Sequence, residues 1–181
     1  MAARIEWLPL PAVLMSAPCA FAAQYFSLEQ VQHALFADAT EFRPRDVTLS
    51  AAQVAAISKA ADAHVLSPTL RVWEARNGAL ALGYLVVDQV YGKHEFITYA
   101  VALSLDGKVS GIEVMSYNES YGDQIRAAAW RAQFYGKQAG DTLKVKNDIR
   151  NIGGATLSCV HLTEGVRRVL VTYQIAIKTG G

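Results

Sequence analysis

The spacing of hydrophobic positions changes several times along the chain, and each change marks an element. Residues 7–21 are apolar and uncharged. After them, Ser27-Leu28-Glu29-Gln30 is a capping box, with Leu28, Val31 and Leu35 at helical spacing. Ser50-Ala51-Ala52-Gln53 opens a second helix with Val54, Ile57 and Ala61 on one face. Phe42-Arg43-Pro44-Arg45-Asp46 reads as a polar connection between them. The two helices are expected to cover a core and to carry no chemistry.

From Thr69 the period becomes two and β-branched residues accumulate. Strands are expected over Leu70–Arg76, Ala79–Tyr91, His94–Leu105 and Lys108–Tyr117, with turns at Asn77-Gly78, Gly92-Lys93 and Asp106-Gly107. Such close turns make an antiparallel meander and leave no room for crossover helices, which disfavours a doubly wound nucleotide fold. The expected fold class is α+β, an antiparallel β-meander packed with helices.

The fourth strand leads into Tyr117-Asn118-Glu119-Ser120-Tyr121-Gly122-Asp123 and then a predicted helix. Ile125, Ala128, Ala129 and Ala132 would share one face of it, and Trp130 and Phe134 form an i,i+4 pair. Gly136 and Gly140 break the pattern, and residues 141–151 are polar. Then comes Ile152-Gly153-Gly154-Ala155-Thr156-Leu157-Ser158-Cys159, with Leu157, Val160, Val166, Val169 and Leu170 expected as the apolar face of a last helix. That helix is expected to end near Leu170, where Arg167 and Arg168 suit the negative end of its dipole.

Composition adds limits. The 181 residues are 52% hydrophobic and 18% charged, which suits one folded domain. The net charge is +1 and no Lys/Arg run stands out, so nucleic acid is disfavoured as a partner. Arg4, the apolar stretch and Ala20-Phe21-Ala22 have the form of an export signal, expected at 1–22, with an uncleaved anchor as the alternative. Pro9, Pro11 and Pro18 count against a stable spanning helix, and Ser16-Ala17-Pro18 before Cys19 is a poor lipoprotein signal. Without the signal, Cys159 is the single cysteine; it reads as a small buried residue, or as a thiol activated by the helix start.

The junction at Thr156 is the strongest candidate for chemistry. Unpaired amides and the dipole at a helix start favour a phosphate, although a glycine turn with Thr156 as a plain N-cap has the same pattern. No base stands near Thr156 in sequence, so any covalent bond at its hydroxyl would be made by another protein. His33, His64, His94 and His161 form no ligand-spaced pair, and no metal site is expected. No serine sits in a Gly-x-Ser-x-Gly elbow. Glu119 is a polar candidate on a tight loop after a strand.

Two ordered motifs carry a resemblance. Glu119-Ser120-Tyr121-Gly122, then Trp130 and Gln133-Phe134-Tyr135-Gly136-Lys137, precede Gly153-Gly154-Ala155-Thr156-Leu157-Ser158. In this the chain resembles the FMN-binding domain family, which includes flavoprotein subunits of the Rnf and Na⁺-translocating NADH:quinone reductase complexes and small exported relatives. The resemblance spans roughly residues 80–170. It implies FMN esterified through its phosphate to Thr156 by a separate flavin transferase. It also implies close approach at Gly154 and Ala155, cofactor-binding positions at Gly153 and Leu157, a phosphate contact from Ser158, and a flavin-facing loop at Glu119, Ser120, Tyr121 and Gly122. Two positions depart from the family pattern: Gly153 replaces a Ser/Thr, and Arg150 stands where an acidic residue is common.

The implied organisation is a signal peptide at 1–22, a helical cover at 23–66 and an FMN-binding domain at 67–181. The implied role is an extracytoplasmic electron carrier, periplasmic or membrane-associated, between membrane or periplasmic redox partners. Two alternatives stay open. One is a flavin-dependent reductase using Tyr121, Glu119 or His161 as an acid; the other is an accessory or sensory module, which the departures at Gly153 and Arg150 keep in view.

Overall fold

A computed structural model describes residues 24–118 and 122–178. The expected signal peptide lies outside the described residues. The two capping boxes form as expected: Ser27 opens α1 (Leu28–Leu35) and Ser50 opens α2 (Ala51–Ala61), each with reciprocal side-chain bonds to the N3 glutamine. Between them the chain is not a plain connection. Glu41–Pro44 (β1) and Val47–Thr48 (β2) both pair antiparallel with β3 (Thr69–Asn77). Strands of four and two residues are too short to show a period, and Pro44 is tolerated because β1 is an edge.

β3, β4 (Leu80–Tyr91), β5 (Phe96–Ser104) and β6 (Val109–Ser116) are the meander that the turns dictate, in sheet order β1-β3-β4-β5-β6. The fold is α+β with an antiparallel sheet. Alternation sorts the sheet residues to two faces. Val72, Val86, Val90, Tyr99, Val101 and Leu103 face a core shared with α2 and α4 (Thr156–Thr172). Trp73, Ala75, Leu85, Val87, Ala100 and Ala102 face Val31 and Phe36, at α1 and its C-cap.

α4 lies on β4 and β5 and carries α2 on its flank. Gly165 sets how near it comes: a Cβ there would stand 2.4 Å from the Tyr99 hydroxyl and 2.7 Å from Val90. Asp88 of β4 accepts from Arg168 at 2.7 Å and from the Tyr99 hydroxyl at 2.8 Å. Burial, then the Asp88 charge, push the Tyr99 phenol well up from its ordinary value, so it stays the donor.

Arg168 is buried, and it also donates to the carbonyls of His64 and Gln89. Arg167 donates to the carbonyls of Ala61, Leu143 and Asp62. Both arginines therefore tie α4 to neighbouring segments instead of complementing its dipole. The helix also runs past Leu170, to Thr172, and closes in a π-helical turn at Tyr173–Ile177.

The predicted helix after Gly122 is broken into a 3-10 turn at Asp123–Arg126, one α turn at α3 (Ala128–Arg131) and a second 3-10 turn at Ala132–Phe134. Its alanines are exposed, and the buried residues are Ile125, Trp130 and Phe134. Large side chains spaced for core anchoring hold this segment, and the alanine face does not.

Candidate functional site

The Gly153–Ser158 junction is a tight turn delivered onto a helix start. The Ala155 N–H donates to the Ile152 carbonyl at 3.1 Å, and the Cys159 N–H to the Ala155 carbonyl at 2.9 Å. Gly154 takes φ +81°, the left-handed region where glycine alone is unstrained. A Cβ at Gly153 or Gly154 would meet nothing within 4 Å, so this side of the turn is open to approach.

Ala155, not Thr156, is the N-cap, and it offers no side-chain cap to the helix. The plain-cap reading of Thr156 thus gives way: Thr156 is the first helical residue and its side chain is exposed. Its Oγ1 accepts from Asn151 Nδ2 at 3.0 Å. The first-turn amides beside it have no carbonyl acceptor within the helix, which leaves a concentration of donors at an exposed hydroxyl.

The two motifs meet in space. A Cβ at Gly122 would stand 2.4 Å from the Tyr117 hydroxyl, 3.1 Å from the Ala155 Cβ and 3.3 Å from Ser158 Oγ. Gly122 has φ +99°, so both its backbone and its surroundings demand glycine. Ser158 is buried, with its Oγ 3.1 Å from the Tyr117 hydroxyl. It joins the helix start to the end of β6 from the inside, away from the exposed Thr156 face.

Ala155 is likewise buried, with its methyl toward Gly122, while Leu157 is exposed and not part of the apolar face of α4. That face consists of Cys159, Leu162, Val166, Val169 and Leu170. Glu119, Ser120 and Tyr121 lie outside the described residues. Cys159 is fully buried, and burial pushes its thiol up, opposite to an activated cysteine.

Three contributors carry no motif of their own. Tyr117 and Asn151 are recognisable only once the chain is folded. The third is the anchoring of Arg150, whose carbonyl accepts from Trp130 Nε1 at 2.7 Å and whose N–H donates to Gln133 Oε1 at 2.8 Å. Nearby, Asp148 accepts from Lys137 Nζ at 3.0 Å and from the Lys144 N–H at 2.7 Å. An open polar cleft of about 620 Å³ lies alongside, lined in part by Lys137, Lys146, Arg150 and Asn151. Among the described residues no group of His, Cys, Asp and Glu could hold a metal.

Residues 92–171 match the family profile of the FMN-binding domain. That span is similar to an FMN-binding domain. The matched span contains Tyr117, Gly122, Asn151 and Thr156, which the fold brings to one place. The chain is 29% identical over 115 residues to a subunit of the Na(+)-translocating ferredoxin:NAD(+) oxidoreductase complex of Acetobacterium woodii, covering 58% of this chain and 56% of that protein. It is 32% identical over 117 residues to a subunit of the proton-translocating ferredoxin:NAD(+) oxidoreductase complex of Clostridium ljungdahlii, covering 60% of this chain and 62% of that one. The chain thus spans less than two thirds of either relative. Among solved structures it is similar to Shewanella oneidensis NqrC, with a TM-score of 0.46, 16% identity, and coverage of 84% of this chain and 73% of that one.

The residues of the junction fit an FMN phosphate. The first-turn amides of α4 have no acceptor within the helix, the Thr156 side chain beside them is exposed, and a Cβ at Gly153 or Gly154 would meet nothing within 4 Å.

Proposed function

We propose that the protein is an exported flavoprotein that carries FMN in phosphoester linkage to Thr156 and relays electrons from a membrane donor to an extracytoplasmic acceptor. The observation that carries this reading is the exposed Thr156 hydroxyl at an uncapped helix start inside the FMN-binding domain. The two relatives are subunits of ferredoxin:NAD⁺ oxidoreductase complexes, which supports membrane redox partners. Export rests on the pattern of residues 1–22. Among the described residues no helix is long and apolar enough to cross a membrane.

Each residue has a physical task in this reading. The first-turn amides of α4 and its dipole hold the phosphate. Gly153 and Gly154 leave the approach clear, and Gly122, with no side chain, lies against Ala155 and Ser158. Tyr117 and Ser158 fix the helix start to the sheet, so the attachment point does not move when the flavin changes charge. When bound, the flavin supplies the electron transfer. Maturation requires a flavin transferase, because no base adjoins Thr156 in sequence.

The test is coexpression with a flavin transferase, followed by denaturing electrophoresis under ultraviolet light. A fluorescent band in the wild type and none in Thr156→Ala supports the linkage. Bleaching of the bound flavin on mixing with energised membranes, without turnover of soluble substrates, supports the carrier role over a reductase. A colourless protein overturns both.

A further inference from the structure

We infer that Asn151 is a positioning residue for the Thr156 hydroxyl, holding it in one rotamer for phosphoester formation. The inference rests on the covalent reading above. Asn151 Nδ2 donates to Thr156 Oγ1 at 3.0 Å, while its Oδ1 is buried and without a partner. Thr156 opens α4, so no preceding helical turn offers its hydroxyl an acceptor, and an exposed side chain of this kind divides between staggered rotamers. A donor fixed on the open side of the helix removes that division.

The donor is itself fixed. The preceding residue, Arg150, is held through its carbonyl by Trp130 and through its N–H by Gln133, and Gln133 Nε2 also donates to the Trp130 carbonyl at 2.9 Å. On the other side, the 152–155 turn closes through the Ala155 N–H. Asn151 is therefore presented to Thr156 by a frame tied to α3 and the turn that follows it. The route from Trp130 and Gln133 through Arg150 to Asn151 gives these motif residues a task at the attachment point, 26 and 23 positions before it in sequence. It also gives the site a polar partner for the hydroxyl where Gly153 has no side chain.

The direction of the bond matters. An amide N–H on Oγ1 occupies one lone pair, leaving the other lone pair and the hydroxyl proton free. In the transfer, Oγ1 bonds to the flavin-bearing phosphorus of a flavin dinucleotide as the anhydride P–O bond breaks. The nucleoside monophosphate leaves with the electron pair, and the Oγ1 proton passes to a base of the transferase. No oxidation or reduction accompanies the step. The Asn151 amide can keep its bond to the same oxygen after it becomes the ester bridge.

Two readouts test this. In the flavin-free protein, three-bond couplings to the Thr156 methyl report its rotamer. They should show one rotamer in the wild type, averaging in Asn151→Ala, and one rotamer again in Asn151→Asp, whose carboxylate accepts from the hydroxyl. With flavin dinucleotide and transferase, Asn151→Ala should lose on the order of ten-fold in kcat with KM for the protein unchanged, as expected for lost orientation and not lost docking. If Asn151→Ala does not fold, Asn151→Ser, too short to reach Oγ1, carries the same expectations. Averaged couplings in the wild type, or a variant modified at the wild-type kcat, overturn this inference alone. A wild type that the transferase leaves unmodified overturns the covalent reading, and this inference with it.

Discussion

The hydroxyls of Tyr117 and Ser158 meet at 3.1 Å beneath Gly122, joining the end of β6 to the first turn of α4. Ser158 is buried, so removing its partner leaves a polar atom with little access to water. Tyr117→Phe should cost about 1–2 kcal/mol in urea denaturation. Adding Ser158→Ala should restore part of that loss, because two missing partners are less costly than one orphan. Additive losses in the double variant would deny the coupling.

Gly122 is constrained twice, by its left-handed backbone and by the Tyr117 hydroxyl 2.4 Å from where a Cβ would lie. Gly122→Ala should destabilise the protein by roughly 2 kcal/mol or more. It should also lower flavin occupancy per purified protein at permissive temperature. Unchanged stability and occupancy would mean that the close approach of Gly122 to the helix start is not needed.

Asp88 and Arg168 form an ion pair at the contact between sheet and helix, with the two side chains 18% and 8% exposed. Asp88→Leu leaves a buried guanidinium without its anion and should cost about 3–5 kcal/mol. The Asp88→Leu/Arg168→Leu double variant should lose less than the sum of the single losses. It should not return to wild type, because the His64 and Gln89 carbonyls lose their donor. Chemical denaturation of the four proteins checks this.

Asp148 ties the 143–149 loop beside the junction. Burial raises its carboxyl pKa, but the Lys144 N–H and the Lys137 ammonium lower it more, and the net position is below the ordinary carboxylate value. A lowered folded pKa gives stability that is complete above the unfolded carboxylate value and is lost as pH falls through the folded one. Asp148→Asn should therefore lower the thermal midpoint at neutral pH, and the two proteins should converge in acid. A constant gap at all pH values would assign the effect to shape and not charge.

The sequence made the meander legible because Asn77-Gly78 and Asp106-Gly107 fix two of its hairpins, with Gly78 and Gly107 at φ +55° and +83°. The capping boxes and the start of α4 were equally local. β1 and β2 were not, since their pairing depends on β3, some 30 residues away and already two-faced. The alanines at 128, 129 and 132 offered a helical face, but Trp130 and Phe134 took the core and the segment bent to seat them. Arg168 was placed by charge at a helix end; its partner Asp88, 80 residues earlier, decides its burial. At the candidate site, the motifs point to Gly122 and Thr156, whereas Tyr117 and Asn151 enter through contacts that exist only after folding.

The proposed function depends on one bond, between FMN and Thr156. Digestion after arginine and lysine isolates residues 151–167, a peptide that contains Thr156, Ser158 and Thr163. Mass spectrometry of this peptide from protein matured with a flavin transferase should find the mass of one FMN less water, with fragmentation placing it on Thr156. The Thr156→Ala protein should yield only the unmodified peptide. An unmodified wild-type peptide, or a flavin on Ser158 or Thr163, would contradict the account.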